Sequence, residues 1–327
     1  MKILITILVI ISLVFVKTLI KLFVNRNRVD REIKQTSIKK IHAPGHVKKF
    51  TFLPLIDFYA KDKIFKTEAG VSYHMTTDDM IILMDLGANG RKEHPSPLMQ
   101  NMASLGKRFE DLNAIFISHA HLDHVGGMKE QRGNRFSVSK GPVTLPAIPV
   151  YSPVSLRASD QNPLPDVRVI TEPHVIAPGI ISIGAIPRAL YLLGYTLENS
   201  LAFNVEEKGI VIVIGCGHQT IQRIIERVQA LFDQPIYAII GGLHLPSGGG
   251  RMKIGPIDIQ PIVGSDRVPW KRINDQDTED AIAAIQKVDP ALIALSPHDS
   301  SDRSLARFRE VFKDRFQVIE VGKVIEI

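Results

Sequence analysis

Residues 118–125 read S-H-A-H-L-D-H-V, and they follow directly on a short apolar run of β type, Ala114-Ile115-Phe116-Ile117. His119, His121, Asp123 and His124 put three of the chain's eleven histidines and a carboxylate within six positions, and Gly126-Gly127 come next. Imidazole nitrogen and carboxylate oxygen are ligands that borderline cations such as zinc take readily. A strand entering this loop presents His119 and His121 to one side as an alternating pair. Asp123 and His124 fall at the following turn, within reach of a second ion. A chance gathering of polar loop histidines is a poor account of that density, so the stretch is read as a metal site.

Composition narrows the remainder. The 327 residues are 45% apolar and 23% charged, the balance of a packed globular chain. The net charge of +6 is not spread evenly: residues 1–50 hold eleven Lys/Arg against two acids, which leaves 29 basic and 32 acidic residues beyond, a net of −3. A polyanion-binding enzyme carries its positive charge on the catalytic body, so nucleic acid is not an expected partner and a small-molecule substrate is. Cys216 is the single cysteine, which excludes an intrachain disulfide and a cysteine-rich metal cluster.

Residues 3–16 contain no charge, and apolar character continues through Leu19, Ile20, Leu22, Phe23 and Val24. Fourteen helical residues rise only about 21 Å, whereas a span over residues 3–24, with Lys17 and Lys21 snorkelling to one interface, is long enough for a hydrocarbon core of roughly 30 Å. Most positive charges follow the apolar run, and no small-x-small cleavage site precedes Arg26, so an uncleaved single-pass anchor is expected rather than a secretory signal. Lys17, Lys21, Arg26, Arg28, Arg31 and Lys34 oppose Lys2 alone, which by the positive-inside rule puts the catalytic domain in the cytoplasm. The division expected is an anchor over 1–24, a basic linker over 25–50 and one catalytic domain over 51–327.

Within that domain, strand-like runs occupy 50–56, 71–75 and 80–84, the last ending at Asp85-Leu86-Gly87. Ser96 followed by Pro97 opens a helix to residue 105. Residues 129–178 give weak strand signals only. The β pattern resumes at 180–183, 200–205 and 210–214, followed by an amphipathic helix over 220–232. A strand at 236–240, a helix at 279–288, a strand at 292–295, a helix over 301–316 and two short closing runs (318–321 and 323–327) complete the chain. This order is expected to give two sheets packed face to face with helices outside. Loop motifs end three of the later strands: Gly215-Cys216-Gly217-His218, Gly241-Gly242-Leu243-His244-Leu245, and Ser296-Pro297-His298-Asp299. Side by side, those strands would bring their C-terminal ends to one edge.

H-x-H-x-D-H after a hydrophobic strand, with Asp85-Leu86-Gly87 upstream, resembles the metallo-β-lactamase superfamily. From about residue 51 the chain is similar to the branch named for 7,8-dihydropterin-6-methyl-4-(β-D-ribofuranosyl)-aminobenzene-5'-phosphate synthase. Glu68-Ala69-Gly70-Val71-Ser72, residues 118–124 with Gly126-Gly127, Ile186-Pro187-Arg188 and the loops at Gly215 and Gly241 carry that likeness. The resemblance implies an α/β fold, the αββα sandwich of the metallo-β-lactamase type, here preceded by a transmembrane helix. It also implies two divalent ions, zinc first with manganese or iron as alternatives: His119 and His121 on the first, Asp123, His124 and His298 on the second. Most such hydrolases also carry a histidine ahead of the strand that here ends near residue 216, and a bridging Asp at its end. Cys216 stands where that Asp would be, His174 lies too early to be the histidine, and His218 is the substitute for it. Asp85 is expected to orient a ligand histidine, and Arg188 and His244 to adjoin the metals or the substrate.

The activity so implied is hydrolysis of a small, phosphorylated or pterin-like substrate by metal-bound hydroxide, with Asp123 and His218 as the catalytic side chains. The named synthase reaction is the alternative. His121 opposes the oxygen-reducing di-iron members, which carry Glu at that place, and the complete motif opposes a non-catalytic binding protein. His42, His46, His74, His94 and His174 are read as surface or satisfied core residues.

Overall fold

The computed structural model describes residues 2–327, apart from the side chains of Leu4 and Ile254. Two seven-stranded sheets form its centre. The first has the order Ile325–Glu326, Phe50–Ile56, Ser72–Thr77, Ile81–Met84, Ala114–Phe116, Pro149–Ser152, Asp166–Val169; the second runs Phe316–Val318, Leu292–Leu295, Ile236–Gly241, Gly209–Ile214, Leu201–Val205, Ile180–Ser182, His174–Ala177. Each joins an antiparallel half to a parallel half. The period of two sorts the side chains between faces. Ile82, Met84, Ala114 and Phe116 meet Val211, Val213, Ala238 and Ile240 between the sheets, with the Phe50 and Phe203 rings 4.5 Å apart.

The alternate residues cover the outer faces. Ile210, Ile212, Ile214, Ile239 and Ile293 pack under the helices Ile221–Leu231, Asp275–Val288 and Asp302–Phe312. Leu83, Ile115 and Val150 pack with Leu98 and Met102 of the helix Pro97–Ser104. The αββα layering is thus present. Ser96 caps its helix as its position indicates, its Oγ accepting from Met99 N at 3.3 Å.

Several boundaries differ from the sequence reading. The helix expected over 301–316 ends at Phe312, because Lys313 turns to φ 52° and the chain re-enters the second sheet at Phe316–Val318. The weakly patterned stretch 129–178 supplies the first sheet with two parallel strands, Pro149–Ser152 and the edge strand Asp166–Val169, and the second sheet with its edge strand His174–Ala177. A hairpin of Ile186–Leu190 and Gly194–Glu198 had no recognisable turn signal.

The segment read as a basic linker needs correction. One helix runs unbroken from Lys2 to Gln35, so residues 25–35 belong to it. It is long and apolar enough to cross a membrane, with a mean hydropathy of 2.6 over its 18-residue apolar window. Its later turns dock on the body: Leu22 and Val29 are buried with Ala189, Tyr191 and Val268, with Leu19 and Ile33 alongside. The spacing of those four residues follows one helical face, and Glu32 accepts from the Tyr195 hydroxyl at 2.5 Å.

Since Phe203 fills the space between the sheets, Phe203→Ala should lower unfolding stability by about 3–5 kcal/mol. A denaturant titration of the full chain in detergent checks this, and an unchanged midpoint would contradict the packing.

Candidate metal centre

The parallel strands deliver their C-terminal ends to one edge of the sandwich, and that edge holds the site. Ile81–Met84 leads to Asp85, Ala114–Phe116 to Ser118 and His119, Gly209–Ile214 to Cys216 and His218, Ile236–Gly241 to His244, and Leu292–Leu295 to His298. Asp85 is fully buried. Its Oδ1 accepts from Ser118 N at 2.8 Å, and its Oδ2 accepts from Ser118 Oγ at 2.7 Å and lies 2.7 Å from His124 Nδ1. A proton on that Nδ1 leaves Nε2 as the free nitrogen, the arrangement by which a carboxylate orients a ligand histidine.

Two donor groups form around Cys216. Asp123, His124, Cys216 and His298 offer one atom each, all within 4.8 Å of one another, and so do His119, Cys216 and His218. Cys216 Sγ lies 3.0 Å from His124 Nε2 and 3.5 Å from His298 Nε2. Asp123 Oδ2 is 3.2 Å from His298 Nε2. His121 adjoins the second group, its Nδ1 being 2.9 Å from His119 Nε2. Thus the sulfur is common to two groups of potential donors, and His218 belongs to the one that contains His119. His174, in contrast, is exposed on an edge strand.

The electrostatics suit cations. Burial, reinforced by the neighbouring imidazoles, drives His119 and His218 far below the ordinary imidazole range and His121 down to about 4, so these rings are neutral and able to coordinate. Burial also opposes ionisation of Asp123, but His124 and His298 override it and hold the carboxyl well below its usual range. For Cys216, burial pushes the thiol well up, and Asp123, Asp299, Glu198 and Asp85 push the same way. A thiolate at this point therefore requires a cation. The nitrogen, sulfur and carboxylate donors fit a borderline transition metal in each group.

His244 and Arg188 lie beside this set, outside both donor groups. The His244 ring lies 4.4 Å from that of His218, tilted by 47° to it, and abuts Gly264, where a Cβ would come within 1.7 Å of Nε2. Both residues line a cavity of about 150 Å³ with His218, Gly264, Asp266 and Arg267. Arg188 is paired to Asp266 at 2.9 Å, and its buried Nε has no partner among the described residues. Burial lowers its pKa to about 10, which leaves it charged at neutral pH.

Two positioning acids escaped the sequence reading. Glu198 Oε1 accepts from the backbone of Cys216 at 3.1 Å and Gly217 at 2.8 Å. Asp57 accepts from Ser296 Oγ, which in turn accepts from His298 N at 3.2 Å. Each stands at the end of a strand, as Asp85 does, but no local pattern marks it.

The family model for Anti-Pycsar protein Apyc1 matches residues 70–147, the segment that contains His119 to His124. The 7,8-dihydropterin-6-methyl-4-(β-D-ribofuranosyl)-aminobenzene-5'-phosphate synthase of Methanocaldococcus jannaschii is 23% identical over 310 residues, covering 83% of this chain and 94% of that protein. Among solved structures, Tm1679, a metal-dependent hydrolase of the β-lactamase superfamily, aligns with a TM-score of 0.57 at 17% identity, over 85% of this chain and 99% of that one. The metallo-β-lactamase fold protein YhfI from Bacillus subtilis aligns with a TM-score of 0.50 at 12% identity, over 86% and 100%. The chain has the metallo-β-lactamase fold.

Two outcomes test the centre. Burial disfavours a charge on His124, but Asp85 and Asp123 override it and raise its pKa to about 9. A proton on Nε2 must then leave before a cation binds. Zinc affinity measured by chelator competition should rise with pH, more steeply below about pH 9, where binding displaces both the His124 proton and the Cys216 thiol proton, than above it, where only the thiol proton remains to be displaced. Asp85→Asn should weaken the same affinity roughly 10–100-fold with circular dichroism unchanged; equal affinity would remove Asp85 from its orienting role.

Proposed function

We propose that the chain is a binuclear metal-dependent hydrolase, held at a membrane by its N-terminal helix, that acts on a small anionic substrate such as a phosphoester. One observation carries the reading: two donor groups sharing Cys216 adjoin a cavity that contains a buried arginine with an unpartnered Nε. His119, His121 and His218 would hold one ion and Asp123, His124 and His298 the other, with Cys216 between them. Zinc is the first choice, with manganese or iron as alternatives. Such ions lower the pKa of water and polarise a substrate oxygen.

The chain's own residues account for the other requirements. Arg188 fixes the anionic group of the substrate. Asp123, ionised beside His298, accepts a proton from the attacking water and returns it to the leaving oxygen, while His218, neutral at the cavity wall, serves as a donor to the ion. Asp85 and Glu198 keep the ligand loops in place. A second reading, the synthase-type transfer that joins a pterin to an aminobenzene ribosyl phosphate, is favoured by the likeness over 94% of the length of the synthase. Arg188 would serve either substrate class. The basic residues after the apolar run favour an orientation with the body in the cytoplasm.

Assays of the full chain with zinc or manganese against phosphoesters, lactones and pterin precursors distinguish the two readings. Hydrolysis supports the first, and condensation without hydrolysis replaces it with the second. His218→Ala should lower kcat by about 100-fold or more. Arg188→Ala should raise KM for an anionic substrate about tenfold with kcat nearly kept, the result of losing one charge-assisted contact. A protease supplied outside intact cells should leave the body uncut.

A further inference from the structure

We propose that the body rests edge-on against the bilayer through Leu192, Leu193 and Trp270, so that the cavity of the metal centre lies behind a membrane-immersed rim. This rests on the anchor reading above and adds to it a docking surface whose occupant is the phospholipid interface.

Length makes the first argument. The charge-free run over residues 3–16 rises about 21 Å, whereas a hydrocarbon core of roughly 30 Å needs about 20 residues. A spanning helix must therefore stay in the membrane to about residue 22. In the structure that stretch already runs beside the body. The Phe15 ring is 6.4 Å from that of Trp270, the Lys21 side chain reaches Gly194, and Leu22 is buried against the hairpin and its surroundings. A bilayer that covers the helix to this level also covers whatever lies alongside.

What lies alongside is apolar. Leu192, Leu193 and Trp270 are 59%, 40% and 65% exposed. Lys271 and Arg272 follow the tryptophan, and Lys17 and Lys21 flank the same level of the helix. At the level of Phe15, Trp270 lies about 10 Å inward of residue 22 along the helix, and the basic side chains beside it reach the headgroups by snorkelling. The hairpin turns with Gly194 at φ 85° but also holds Leu192 at φ 67°, a conformation in which glycine or asparagine costs little and leucine more. Turn geometry gives no reason for leucine there, and contact with lipid does.

The rim and the cavity share their walls. The strand Ile186–Leu190 carries Arg188 into the cavity and ends at the leucine tip. Gly264, Ser265, Asp266 and Arg267 line the cavity a few residues before Trp270. Tyr191 N donates to Ser265 O at 2.8 Å and ties the two segments together.

Trp270 is the only tryptophan in the chain, so its fluorescence reports this surface alone. The full chain would be reconstituted in phosphatidylcholine vesicles with and without acyl-brominated phosphatidylcholine, and its retention after carbonate washing measured. Retention with at least twofold quenching of Trp270 by the brominated lipid is expected. The double variant Leu192→Asn, Leu193→Ser, in which asparagine suits the left-handed backbone, should stay carbonate-resistant and folded by circular dichroism while losing at least half of that quenching. Retention without quenching, or quenching unchanged in the double variant, overturns the docking surface and leaves the anchor standing. Release by carbonate overturns the anchor and the docking surface together.

Discussion

The buried carboxylate of Asp85 is the constraint on which the centre depends. An ionised carboxylate removed from water is costly unless its oxygens are bonded. Here the backbone and hydroxyl of Ser118 and the ring of His124 meet it. Those contacts lock the ends of two parallel strands, Ile81–Met84 and Ala114–Phe116, to His124. They also reach the other sheet, because Gly215 passes so close that a Cβ there would lie 2.4 Å from Ser118 Oγ. The residue that orients His124 is therefore part of the joint between the sheets. Asp85 adopts φ 60° to do so, a conformation that Asp tolerates better than most residues.

Around this joint three other acids behave in a different way. Burial raises Glu198 to about 7, Asp299 to about 7 and Asp57 to about 6, against the backbone and side-chain hydrogen bonds that favour their ionised forms. Glu198 grips the backbone of the Cys216 loop and Asp57 holds the serine that positions His298. A cysteine at the shared position removes one fixed negative charge from a ring already crowded with carboxylates, and its sulfur gains a charge only with a cation beside it. The cluster is arranged for cations more than for its own stability.

Rigidity extends to the N-terminal helix. A flexible tether would leave the body free to tumble above a membrane, but Leu22 and Val29 are packed against the hairpin and the Val268 region, and the Arg28 guanidinium lies 3.7 Å from the centre of the Tyr195 ring. The helix, the hairpin that carries Arg188 and the cavity form one packed unit. Orientation of the helix is thereby orientation of the site.

Local patterns made much of this legible in the sequence. His119 to His124 follow a three-residue strand so closely that their proximity is a matter of chain geometry, and the strands at 50–56, 81–84 and 210–214 announce themselves by continuous apolar runs. His218, His244 and His298 were recognisable because each lies just past a strand end, and parallel pairing then aligns those ends. Tertiary structure alone decided which loops meet. Cys216 became common to two donor groups because Gly209–Ile214 lies in the sheet opposite Ala114–Phe116, a juxtaposition that no local spacing encodes. Glu198 and Asp57 look like ordinary strand-end acids until the fold buries them beneath loops distant in sequence. Residues 25–35 read as linker because their charges dominate the composition, whereas the apolar face formed by Leu22, Val29 and Ile33 acquires meaning only when the hairpin is there to cover it. Short-range periodicity determines elements and clusters; long-range burial determines which partners an isolated polar group finds.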